Sequence, residues 1–175
     1  MSTPSTQKTK SIAMNGMLTA IAWCMVIIAS YLPTGRFFIL AITSLCITIS
    51  WLEWGRIAAL TVYLAVAFLT LLWPGLLNSL SFIIFFGLFP LLFLFLREKI
   101  SRIPALIILH LIMTILLVVS LLIFGIDAFL TDTKGLSGIS LWLVIVLVFQ
   151  LVLLLYAYLM RRLTQLWLDR IKNRD

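Results

Sequence analysis

Residues 104–126 read PALIILHLIMTILLVVSLLIFGI, twenty-three residues without an Asp, Glu, Lys or Arg. A helix needs roughly 20 apolar residues to cross the hydrocarbon of a bilayer. This run meets that length, and its apolar residues are continuous rather than alternating. An alternating pattern would have been required for a membrane barrel. The stretch therefore predicts a transmembrane helix. Pro104 stands at its start, where a missing N–H costs nothing.

Working outward, five further apolar segments appear. They run over Ile12–Leu32, Phe37–Leu52, Ile57–Trp73, Leu76–Leu96 and Leu141–Met160. Pro33-Thr34-Gly35-Arg36, Glu53-Trp54-Gly55-Arg56, Pro74-Gly75, the charged run Arg97–Arg102 and the polar loop Asp127–Ser140 separate them. The expected fold is all-α: a polytopic bundle of six transmembrane helices. Residues 1–11 form an expected N-terminal tail, 12–160 the bundle, and 161–175 a basic amphipathic tail, all in a single integral membrane domain. The second and third segments are short. Merging them into one span would place Glu53 and Arg56 in mid-membrane at high cost, so six spans are preferred to five. Lys8 and Lys10 precede the first apolar run as in a signal peptide. That run is longer than a typical h-region of roughly 7–15 residues, so it is read as a membrane helix.

Composition agrees. Of 175 residues, 63% are hydrophobic and 11% charged. Soluble domains have roughly 45–50% and about 25% respectively. A soluble fold of this size has too little interior to hide such a surface. The net charge is +7, but the basic residues stand at span ends, where anionic lipid headgroups are the simpler partner and nucleic acid is not expected.

The placement of Lys and Arg predicts orientation. With the N-terminus inside, the cytoplasmic set is Lys8, Lys10, Arg56, Arg97, Lys99, Arg102, Arg161, Arg162, Arg170, Lys172 and Arg174; the outer set is Arg36 and Lys134. Eleven against two puts both termini in the cytoplasm of a plasma-membrane protein. Tyr31, Phe37, Phe38, Trp73 and Trp142 would mark the outer interface, and Trp51, Trp54 and Trp167 the inner one.

Chemistry is sparse. The six expected spans hold no charged residue in their interiors. Ion-driven transporters and pumps rely on such charges, so an autonomous one is not expected. The chain holds one histidine, His110, with no second ligand at metal spacing, and no nucleophile–base pair. No enzyme activity, metal or cofactor is expected. His110 and Gln150 read as helix–helix hydrogen-bonding residues. Cys24 and Cys46 lie inside spans and fit neither a zinc nor a redox motif. Glu53 and Arg56 are expected to pair across their turn.

Two features are left. Ala13, Gly16, Ala20 and Cys24 form a small-residue stripe on the first helix, a surface another helix can approach closely. Tyr31, Arg36, Trp73, Asn78, Ser79, Ser81 and Asp127 fall near the expected outer ends. A few polar groups among aromatics there can hold a small molecule. Both also have plain readings, as packing within the bundle and as an aromatic belt.

With these features and its six-helix, both-ends-inside arrangement, the chain resembles the substrate-binding (S) components of energy-coupling-factor (ECF) vitamin transporters. The family's first-helix motif is Ala-x-x-x-Ala; Gly16-x-x-x-Ala20 is the nearest match here. No substrate-diagnostic motif accompanies it, and the expected outer loops are short for a lid. The resemblance implies capture of a small metabolite or vitamin from outside by Tyr31, Arg36, Trp73, Asn78 and Asp127. It implies docking of Ala13, Gly16, Ala20 and Cys24 onto a transmembrane coupling subunit, with ATPases supplying energy. The alternative is a non-transporting assembly or accessory protein acting through helix contacts. A membrane enzyme ranks third.

Overall fold

The computed structural model describes residues 4–32, 35–74, 79–124 and 139–172. Within these residues there is no strand, and six helices follow one another. They are α1 (Pro4–Tyr31), α2 (Arg36–Trp54), α3 (Arg56–Leu72), α4 (Ser81–Lys99), α5 (Arg102–Phe124) and α6 (Ile139–Lys172). All but α3 are long and apolar enough to cross a membrane. The chain is a multi-pass membrane protein. Helix α3 has 17 residues, or about 25 Å at 1.5 Å per residue, slightly under the ~30 Å of hydrocarbon. The chain divides into two compact units, residues 1–99 and 100–175.

In the first unit α2 is central, packed on α1, α3 and α4. Its sequence explains why. Lipid offers no hydrophobic drive for helix association, so close approach of small residues has to supply it. Thr43, Ser44, Cys46, Thr48 and Ser50 are such residues, and all are buried. Thr43 donates to the Ile39 carbonyl at 2.9 Å and Thr48 to that of Ser44 at 3.1 Å, so these hydroxyls are satisfied within the helix. Ser50 instead crosses to α1 and donates to Asn15 Oδ1 at 2.8 Å. The face α1 turns inward is Leu18, Ala22, Val26 and Ala29, all buried at helical spacing.

The α2–α3 junction rules out the merged helix of the five-span alternative. Gly55 has φ +87°, a conformation that glycine adopts without penalty. Its N–H caps α2 by donating to the Trp51 carbonyl at 2.9 Å. One helix ends and the next begins there, with Glu53 and Arg56 at the turn rather than inside a span.

Three expected boundaries move. Helix α1 starts at Pro4, so the anticipated N-terminal tail is largely helical. Helix α4 runs on through Arg97 and Lys99, where a charged break was expected. Arg97 lies over the Phe93 ring (5.4 Å) and Lys99 over Phe95 (4.7 Å), each four residues back. Such pairs continue a helix, and cations in its last turn oppose the macrodipole. Helix α6 continues to Lys172 without interruption. Its 34 residues measure about 51 Å, so it outlasts the hydrocarbon and absorbs most of the expected amphipathic tail.

The first part of α4, Ser81–Gly87, is wound as a π-helix. Such turns leave backbone carbonyls without their usual partners. Here Tyr63 of α3 supplies one, its hydroxyl donating to the Ile83 carbonyl at 3.2 Å. The second unit is the α5–α6 hairpin. Its buried positions are Ala105, Leu109, Met113, Leu117 and Leu121 on α5, and Leu153, Ala157, Met160 and Thr164 on α6.

Candidate functional site

The expected outer rim is partly assembled. Arg36 opens α2, its guanidinium lies over the Phe37 ring, and its Nη2 donates to Ser81 Oγ at 3.2 Å. Phe37 stacks on Phe86 at 6.1 Å. These contacts set α2 against the π-helical turns of α4, while Tyr63 engages the same turns from α3. Ser79 turns inward and donates to the Thr70 carbonyl. Trp73 ends α3 with its ring exposed, and its carbonyl accepts the indole N–H of Trp23 at 3.2 Å. Tyr31 is exposed at the end of α1. Of the predicted binding residues, the described contacts thus join Arg36 to Ser81; Tyr31 and Trp73 project from other helices. Asn78 and Asp127 lie outside the described residues.

The small-residue stripe has a definite placement. Ala13, Gly16, Ala20 and Cys24 are all exposed. At 100° per residue they fall about half a turn around α1 from Leu18, Ala22, Val26 and Ala29. A Cβ built on Gly16 meets nothing within 4 Å. Among its described residues, the packing of the first unit leaves this face of α1 uncovered.

A third cluster lies inside the hairpin. His110 Nδ1 faces Gln150 Oε1. An amide oxygen only accepts, so Nδ1 carries the proton. Gln150 Nε2 donates to Thr114 Oγ1, and Thr114 donates to the His110 carbonyl at 2.7 Å. His110 Nε2 is buried without a hydrogen-bond partner. The residues singled out separately, His110 and Gln150, are each other's partner; Thr114 was missed. The signal was available, since isolated polar residues on consecutive spans have few other partners in hydrocarbon. The bond is testable. Leucine at 110 and at 150, singly and together, is expected to give a coupling free energy of about 1 kcal/mol in unfolding from detergent. Additive single effects would show that the two side chains act independently.

At the opposite end of the first unit, Glu98 gathers two partners. Its Oε1 accepts the Trp51 indole N–H at 2.9 Å, and its Oε2 pairs with Arg56 Nη2. The expected Glu53–Arg56 pair is replaced by this one. Pairing at i, i+3 needs an unbroken helix, and Gly55 interrupts it; Glu53 is left exposed. The sequence does not single out Glu98, because Arg97–Arg102 reads as a charged break rather than as helix.

Among the described residues, no group of three His, Cys, Asp or Glu side chains is placed to hold a metal ion. Comparison of the chain with family models, with curated proteins and with solved structures finds no match in any of the three.

Proposed function

We propose that this chain is a membrane-embedded, non-catalytic capture subunit, similar to the S components of ECF transporters. In this reading it lies in the plasma membrane with both termini in the cytoplasm. It takes a small metabolite or vitamin at the outer rim and works with a transmembrane coupling subunit and ATPases. The observation that carries the reading is the uncovered small-residue face of α1. Packing of the first unit uses the opposite face, and its described residues leave Ala13, Gly16, Ala20 and Cys24 exposed. A small-xxx-small surface suits a partner helix at close range. The rim adds weaker support: Arg36 is a fixed cation beside a π-helical segment, a winding frequent at functional sites.

The test is copurification. Gly16→Leu and Ala20→Leu are expected to abolish recovery of a membrane partner while the chain still inserts and melts as the parent does. Unchanged recovery would sink the docking role. A second reading, a non-transporting assembly or accessory protein, is favoured by one observation: Tyr31 and Trp73 are exposed on separate helices instead of closing on Arg36. A small molecule carried through purification, identified by mass spectrometry, would decide for capture. A partner complex free of ligand would decide for assembly.

A further inference from the structure

At the end of the first unit where α2, α3 and α4 meet, two cations and an uncapped helix start lie beside one paired carboxylate, with Glu53 exposed at the same turn. Arg56 is the first residue of α3 and lies over the Phe95 ring at 5.8 Å. Lys99 lies over the same ring at 4.7 Å. Two cations thus share one aromatic side chain. Glu98 is the carboxylate beside them, and both of its oxygens are already engaged, by Trp51 and by Arg56. Lys99 has no carboxylate partner among the described residues.

Two further observations point the same way. Arg56 stands at a helix N-terminus, where the macrodipole is positive and disfavours a cation. That N-terminus has no side-chain cap and no acidic residue in its first turn, so backbone N–H groups of the turn add to the positive character. The macrodipole of α4 accounts for the attraction of Lys99 to its own helix end. It does not account for Arg56, whose own helix repels it.

We infer that this corner, built by Arg56, Lys99 and the uncapped start of α3, binds the phosphate of an anionic membrane lipid. A phosphodiester brings negative charge and several acceptor oxygens with no donor of its own, the complement of this rim. Arg56 retains N–H groups beyond the one given to Glu98, and Lys99 has an ammonium to offer. Phe95 is partly exposed beside both cations and offers apolar surface to the glycerol and acyl region below the phosphate. A lipid is favoured over a free anion because the corner lies at the end of membrane-spanning helices and carries aromatic side chains, which suit an interface.

The experiment uses the full chain in phosphatidylcholine vesicles doped with phosphatidylglycerol, with the preference for phosphatidylglycerol read by native mass spectrometry of retained lipid. Lys99→Gln is expected to lower that preference about fivefold, the effect of one cation at a membrane surface. Glu98→Gln is expected to raise it by a similar factor. That variant removes the local negative charge and releases Arg56, while the amide oxygen still accepts from Trp51. The opposite signs separate a binding role from a structural one, because a variant that merely loosens the corner weakens retention in both cases. Equal preference in the parent and Lys99→Gln, or a fall in Glu98→Gln, would overturn the proposal. So would displacement of the lipid by millimolar inorganic phosphate, which would make this a free-anion site.

Discussion

Ala22→Leu is expected to destabilise the first unit by about 1–3 kcal/mol, the usual cost of forcing extra methyl groups into a filled interface. Ala22 is fully buried on the inward face of α1. The Ser50–Asn15 bond sets the antiparallel register of α1 against α2. Counting from it, Ala22 stands level with Thr43, which is also fully buried. A leucine there has to push the two helices apart, and the loss spreads along a contact that depends on closeness. Ala20→Leu makes the same chemical change two residues away on the exposed face. It is expected to move the melting temperature little, since exposed substitutions usually stay within about 0.5 kcal/mol, yet to abolish partner recovery. Thermal unfolding in detergent beside copurification checks both. Equal melting of the two variants would mean that the packing face of α1 has been misassigned.

Gly87→Leu should be at least as damaging, and Gly87→Ala already shows why. A Cβ at position 87 would sit 2.6 and 2.8 Å from two ring atoms of Tyr63 and 3.2 Å from the Phe82 carbonyl oxygen. The two ring contacts are shorter than real Cβ contacts, so something has to move. The Tyr63 ring cannot withdraw freely, because its hydroxyl is bonded to the Ile83 carbonyl. Retreat would break that bond to the π-helical segment. In an ordinary helix glycine to alanine stabilises by up to about 1 kcal/mol, so the sign is informative. Here a loss of about 1–3 kcal/mol is expected for alanine, and more for leucine. A double-mutant cycle with Tyr63→Ala isolates the cause: the penalty of Gly87→Ala should largely vanish in that background. An undiminished penalty would show that Tyr63 is not the obstacle.

How much was legible follows from the kind of interaction involved. Span positions were readable because a charge-free run of about 20 residues has few other uses. The break between α2 and α3 was readable because Gly55 is flanked by charges that hydrocarbon excludes. The pairing of Arg56 was not. A short sequence separation suggested Glu53, and only the arrival of α4 brings Glu98 within reach. The candidate rim was legible as a set of residue types near span ends, but the set mixes different roles. Ser79 is spent on a backbone carbonyl, Ser81 holds Arg36, and Trp73 uses its carbonyl rather than its ring for the contact with Trp23. Nothing in the order of residues distinguishes these fates.

Residues 104–126, taken alone, determine that the chain crosses a membrane as a helix, because transfer of apolar surface and satisfaction of backbone groups depend on composition and length. The same reasoning extends to the other spans, α3 being the shortest. The stripe Ala13, Gly16, Ala20 and Cys24 was equally visible as a small-residue face, but a periodic pattern is symmetric with respect to what covers it. Whether the face was to be buried or left open depended on which side of α1 received α2. The Asn15–Ser50 bond and the small buried residues of α2 decided that, by drawing Leu18, Ala22, Val26 and Ala29 inward. The cationic corner at Arg56 and Lys99 was likewise decided by tertiary packing, since it arises from side chains on separate helices meeting at one place.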